Sequence, residues 1–216
     1  MIFLSCRIYL VRHGQSLGNL KATFLGHTDL DLSPLGYSQA KLTCKYLESK
    51  AIDIIYSSDL LRAYNTSQPL CKALGLEAIK VEDLREIYAG EWEGKTFDHL
   101  TEKYMQTYSV WRNDIGNAKI DGGETVRQLY DRITKEIGKI ALENDGKTVA
   151  VFTHATPIRV LYCFCNSLGV EAMKDIGWCP NASVSEIVFK NGEFSMPVYG
   201  YDEFLGDIGT RLPSNV

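Results

Sequence analysis

Short apolar runs alternate with stretches of helical periodicity from the start of the chain to Gly169, and no other feature constrains the fold as much. The first run, Arg7 to Val11, ends on Arg12-His13-Gly14, as a buried strand entering a tight loop does. Ser33-Pro34 reads as a helix cap with proline in the first turn, and that helix runs to about Ser49 with Ala40, Cys44 and Leu47 on one face. Asp53 to Tyr56 is a second strand. Ser58 is placed to cap the next helix, with Asp59 complementing its dipole. Ala63, Ser67, Leu70 and Leu74 share one side of it, and Gly75 ends it. Ile79 to Val81 is a third strand, and a shorter helix is expected over Phe97 to Trp111.

After Gly122-Gly123-Glu124 comes a clear amphipathic helix with Val126, Leu129, Ile133, Ile137 and Ile140 as its buried stripe. Asn144-Asp145-Gly146 is a turn, Thr148 to Phe152 an unbroken buried strand, and Pro157 opens a helix ending near Gly169. Ser183 to Phe189 and Glu193 to Val198 flank Asn191-Gly192, a hairpin signal, and Pro197 suits an edge strand. Strands that alternate with helices in this way form a mainly parallel sheet covered on both faces. The expected fold is therefore α/β, a three-layer αβα sandwich with an antiparallel edge strand. The 216 residues are read as one domain, 1–216, with residues 87–121 as a small, aromatic-rich insertion.

Composition removes several function classes. The formal net charge is −4 and no Lys/Arg run appears, so no nucleic-acid partner is expected. No apolar stretch reaches the length of a membrane span, because Arg159 and Asn166 interrupt the longest. The apolar start lacks a basic leader and a cleavage site, so it reads as strand and not as a signal peptide. The six cysteines form neither a Cys-x-x-Cys pair nor a zinc ladder, as expected of reduced thiols in a cytoplasmic protein. No metal or cofactor is expected. Oligomeric state is open, a homodimer included.

In an open α/β sheet, ligands sit beyond the carboxyl ends of the strands. Arg12-His13 follows the first strand, Arg62 lies in the first helical turn after the second, and His154 follows the strand ending at Phe152. Two of the four histidines and two arginines thus stand at equivalent ends. Arginine grips a phosphate with two parallel hydrogen bonds, and a histidine can accept a phosphoryl group. A lone histidine after a strand is commonly structural, but the four together point to phosphate chemistry.

The set resembles the histidine phosphatase (phosphoglycerate mutase-like) superfamily. The resemblance rests on Arg12-His13-Gly14-Gln15-Ser16 with Asn19, Gly26 and Leu30, and on Ser57-Ser58-Asp59-Leu60-Leu61-Arg62-Ala63. It continues through Leu84-Arg85-Glu86 to Gly90-Glu91-Trp92-Glu93-Gly94, then Gly122-Gly123-Glu124-Thr125 and Val151-Phe152-Thr153-His154. The resemblance implies a phosphomonoesterase acting on a small-molecule phosphate ester. It implies His13 as the phosphorylated nucleophile, with Arg12, Arg62 and His154 on the phosphoryl oxygens and Glu86 as proton donor. Asn19, Gly26 and Ala155 are implied on the substrate side, and residues 87–121 as a lid. Glu91 and Glu93 are read as solvated or structural.

Two departures carry meaning. Ala155 stands where the family usually has glycine, so a small change of pocket shape is expected. The true mutases carry a basic insert with adjacent arginines, whereas Trp111-Arg112-Asn113 supplies one, which favours hydrolysis over mutase activity. The alternatives are a phosphoglycerate mutase, a binding module without turnover, and a metallophosphatase on His13, His27, Asp29 and His154. Tyr104, Tyr108 and Trp111 fall at helical spacing and read as core or lid packing ahead of a substrate cap. His27 reads equally as a leaving-group contact or an ordinary loop residue, and His99 has no case for function.

Overall fold

The structure is a computed structural model that describes residues 5–211. Residues 1–4, the beginning of the apolar start, lie outside the described residues, as does the end of the chain. Six strands form one sheet: β1 (Ser5–Arg12), β2 (Ile54–Ser57), β3 (Ala78–Lys80), β4 (Thr148–Thr153), β5 (Val184–Lys190) and β6 (Glu193–Tyr201). Their order is β3-β2-β4-β1-β5-β6. The first four pair in parallel, while β5 pairs antiparallel with β1 and β6 with β5. The antiparallel edge is therefore a whole hairpin, and Pro197 sits on the outermost strand. Asn191 and Gly192 turn it with positive φ of 55° and 89°, as an Asn-Gly turn requires.

The sheet separates two cores by simple alternation. Ile8 and Leu10 of β1, with Val149 and Val151 of β4, face one cluster. There they meet Ile133 and Ile137 of α6 (Val126–Glu143) and Ile158 and Leu161 of α7 (Ala155–Cys165). Tyr9 and Val11, with Ala150 and Phe152, face the other. That cluster holds Cys44 and Leu47 of α2 (Pro34–Leu47) and Leu70 of α3 (Leu61–Leu74). All five stripe residues of α6 are fully buried, each stabilising by about 1.5–3 kcal/mol. Thr125 and Gln128 close a capping box at its start.

Several expected boundaries move. The helix expected over Phe97 to Trp111 is two, α4 (Phe97–Lys103) and α5 (Met105–Asn113), broken at Tyr104 (φ −121°, ψ 29°). The break lets Phe97 and Trp111 turn onto Phe24 and Trp92, where edge-to-face ring pairs pack 5.0–6.4 Å apart. Tyr108 and Trp111 are buried as read, though Trp111 also borders a cavity. α7 opens at Ala155, two residues before Pro157, and stops at Cys165, short of Gly169. Ser58 does not cap α3. Leu60 occupies that position, and Asp29 reaches across to accept from the Leu61 N–H at 2.7 Å. The short α1 (Leu17–Leu20) completes the helices and hangs from Ser16.

Candidate active site

The site follows from register. Arg12 lies opposite Thr153 in the β1–β4 ladder, so His13 and His154 stand side by side one step beyond it. Their rings meet at 5.2 Å and 60°. Both backbones are fixed: the His13 N–H donates to the Thr153 carbonyl at 3.0 Å, and its own carbonyl accepts from Ala182 at 3.1 Å. Gly14 allows the turn because a Cβ there would lie 2.6 Å from the Gly36 carbonyl oxygen.

A chamber of about 60 Å³ opens at these strand ends. Its polar walls are Arg12, His13, Ser16, Asn19, Arg62 and Glu86, with Ala155 and Thr156 at the start of α7. Opposite stand Phe24, Leu25, Phe97, Trp111 and Trp178. Arg12, His13, Arg62 and Glu86 are all buried. The structure thus brings together Arg12, His13, Asn19, Arg62, Glu86 and Ala155. His154 and Gly26 are beside the chamber and do not line it. The positive end of α7 points at the same place, a disposition that suits an anion.

His13 Nδ1 lies 2.7 Å from the Gly14 carbonyl, which can only accept, so Nδ1 carries the hydrogen and Nε2 keeps the lone pair. Burial, then the charges of Arg62 and Arg12, hold its pKa well below the ordinary histidine value, so the ring is neutral near pH 7. Burial and Arg62 do the same to His154. Its Nε2 is 2.9 Å from Ser58 Oγ, while its Nδ1 is buried without a partner. Burial draws both Arg12 and Arg62 down to about 10, so both remain cations at neutral pH. Arg12 donates through one Nη to the Cys179 carbonyl and leaves Nε unpartnered. Glu86 is fixed by the N–H groups of Ile87 at 2.8 Å and Thr156 at 3.3 Å.

Asn19 spends its carbonyl oxygen on the Ser16 N–H at 3.0 Å and on Asn181 at 3.1 Å, which leaves its amide N–H groups for a ligand. Gly26 serves through its backbone. Its carbonyl accepts from Arg62 at 2.7 Å, and the Thr28 carbonyl accepts from the same guanidinium at 2.9 Å. That loop hangs in turn from Glu93, which accepts from the N–H groups of Gly26, His27, Thr28 and Ala89 and from the Thr28 hydroxyl. Burial works to raise the Glu93 pKa, yet these hydrogen bonds hold it below the usual carboxylate value. Sequence reasoning missed Ser58 as the partner of His154 and Asn181 as the brace under Asn19. His27 turns its Nε2 to the Glu86 carbonyl at 3.0 Å, and Asp29 caps α3. Among the described residues no group of His, Cys, Asp and Glu is arranged to hold a metal ion.

The model of the histidine phosphatase superfamily (branch 1) matches residues 8–202. Phosphoserine phosphatase 1 of Hydrogenobacter thermophilus is 35% identical over 182 residues, which are 84% of this chain and 85% of that protein. The metal-independent phosphoserine phosphatase of Arabidopsis thaliana is 29% identical over 205 residues, 94% of this chain and 84% of that one. Among solved structures, YhfR of Bacillus stearothermophilus superposes with a TM-score of 0.89 at 24% identity, covering 93% of this chain and 99% of its own, and shows the same fold. The protein belongs to the histidine phosphatase superfamily, branch 1.

Proposed function

We propose that this protein hydrolyses a small-molecule phosphate monoester through a phosphohistidine on His13. The observation that carries the reading is the His13 tautomer: a neutral buried ring, Nδ1–H bound to Gly14, and a free Nε2 lone pair on a chamber shared with Arg12, Arg62 and Glu86. Nε2 attacks phosphorus as the ester P–O bond breaks, and Glu86 in its acid form gives its proton to the departing oxygen. Glu86 then takes a proton from water, whose oxygen attacks phosphorus as the P–N bond breaks, releasing inorganic phosphate. Arg12 and Arg62 neutralise the equatorial oxygens throughout. When Ser58 donates to His154 Nε2, Nδ1–H is free to donate to a phosphoryl oxygen as charge develops.

Residues 87–121 act as a lid, for which Phe97 and Trp111 on the chamber wall speak. The chain acts as one domain. Six unpaired, buried cysteines support a reducing, cytoplasmic setting, and among the described residues no helix is long and apolar enough to cross a membrane. Rapid quench with p-nitrophenyl phosphate tests the chemistry: an acid-labile phosphoenzyme should accumulate in the wild type and not in His13→Ala. Full turnover by His13→Ala would sink the mechanism.

A further inference from the structure

Among the described residues, five buried polar side-chain atoms lack a hydrogen-bond partner: Arg12 Nε, His154 Nδ1, Trp111 Nε1, Arg159 Nε and Ser183 Oγ. Phosphoryl binding accounts for the first two. Trp111 and Arg159 call for another acceptor, and both border a second cavity of about 310 Å³. Trp111 and Trp178 are walls of both this cavity and the His13 chamber.

The second cavity is lined by three cations, Arg112, Arg159 and Lys174, against one acid, Asp175. Arg159 is only 4% exposed. One of its Nη atoms donates to the Met173 carbonyl, and its guanidinium lies 3.9 Å over the Trp178 ring. Trp178 in turn stacks on Trp111 at 6.2 Å and 28°. Arg112 and Lys174 are exposed and in no ion pair among the described residues. A buried guanidinium is costly unless a counter-charge answers it, and among the described residues none is ion-paired with Arg159.

A phosphoryl group on His13 would sit between Arg12, Arg62 and Glu86 and face the apolar wall of Phe24, Leu25, Phe97, Trp111 and Trp178. The alcohol part of an ester bound there runs toward that wall, and the cationic cavity shares Trp111 and Trp178 with it. We infer that this cavity is a subsite for a carboxylate on the alcohol part of the substrate. The inference rests on the phosphomonoesterase reading above. Arg159 is the deep contact, Trp111 Nε1–H a second donor, and Arg112 and Lys174 draw the acid in from solvent. Trp178, a wall of both spaces, stands between them.

The test compares ω-carboxyalkyl phosphates of increasing chain length with their methyl esters, which differ only in charge. At the best length, wild type should favour the acid by about 10- to 100-fold in kcat/KM, the range of one or two charge-assisted hydrogen bonds, with the effect mainly in KM. Arg159→Met should bring that ratio close to one. Arg112→Gln/Lys174→Gln, at exposed positions that do not endanger folding, should lower it by about 3- to 10-fold, on the scale of partly exposed charges. Equal kcat/KM for acid and methyl ester at every length, in an enzyme that turns over p-nitrophenyl phosphate, would overturn the subsite and leave the phosphatase reading standing. Failure of a folded enzyme to turn over p-nitrophenyl phosphate would overturn the reading beneath it.

Discussion

Glu93→Gln separates holding a shape from enabling chemistry. Glu93 Oε1 accepts from His27 at 2.7 Å and Ala89 at 3.0 Å, and Oε2 accepts from Gly26 at 3.3 Å and Thr28 at 2.9 Å. A glutamine must put its NH2 group at one of these places, where two backbone N–H groups would face another donor. Each lost partner costs about 1–3 kcal/mol if the loop stays in place, so the loop relaxes instead. Arg62 donates to the Gly26 and Thr28 carbonyls of that same loop and must move with it. A displacement near 1 Å at a phosphate-binding group costs about a hundredfold, so kcat/KM for p-nitrophenyl phosphate should fall by about 10- to 100-fold. Inhibition by inorganic phosphate should weaken in parallel, and the pH optimum should not move, because Glu93 transfers no proton. Steady-state kinetics across pH, phosphate inhibition and thermal melts read all three. A lower Tm with unchanged kcat/KM and phosphate inhibition would refute the coupling of Glu93 to Arg62, and Glu93→Asp should restore part of both.

Other outcomes follow from the same geometry. His154→Ala should lower kcat by about a hundred- to a thousandfold, as loss of a placed donor does, whereas Ser58→Ala, which removes the partner of His154 Nε2 and the acceptor of the Leu60 N–H, should cost about tenfold in single-turnover rate. Gly26→Ala would put a Cβ 2.5 Å from the Ile87 carbonyl oxygen and the Ala89 nitrogen, so stability should fall by about 1–3 kcal/mol in denaturant melts. His13 and His154 have folded pKa values below their unfolded ones, so the unfolded chain binds more protons as pH drops below about 6.5. Their joint effect should cost up to about 2.7 kcal/mol of stability per pH unit on acidification, down to the folded pKa values. A His13→Asn/His154→Asn variant should show a correspondingly flatter dependence in melts between neutral and mildly acidic pH.

Periodicity carried the layers. The buried stripe of α6, the run that became β4 and the Asn191-Gly192 hairpin depend on local spacing, and each stands as read. The ends of helices were less legible, because side chains distant in sequence complete them. Asp29 caps α3 from 32 positions upstream of Leu61, which frees Ser58 for His154. Tyr104 ends α4 because Phe97 and Trp111 gain more from packing on Trp92 and Phe24 than one straight helix would allow. The polar walls were legible because motif residues fall at strand ends. Glu93 reads in the sequence as solvated or structural and not as the support of Arg62, since that link runs through a loop 67 positions from it. Arg159 and Trp178 carry no local pattern that would join them to Trp111.

The place of β1 in the sheet has a consequence for synthesis. β1 lies between β4 and β5, so its two neighbours, residues 148–153 and 184–190, are made long after it. Among the described residues, the backbone partners of the His13 main chain are Thr153 and Ala182. Pairings this distant in sequence are closed late and slowly. On a ribosome, β2, α3 and β3 can meet while the strand bearing His13 still waits, so His13 is fixed in place only once β4 and the segment through Ala182 have been made.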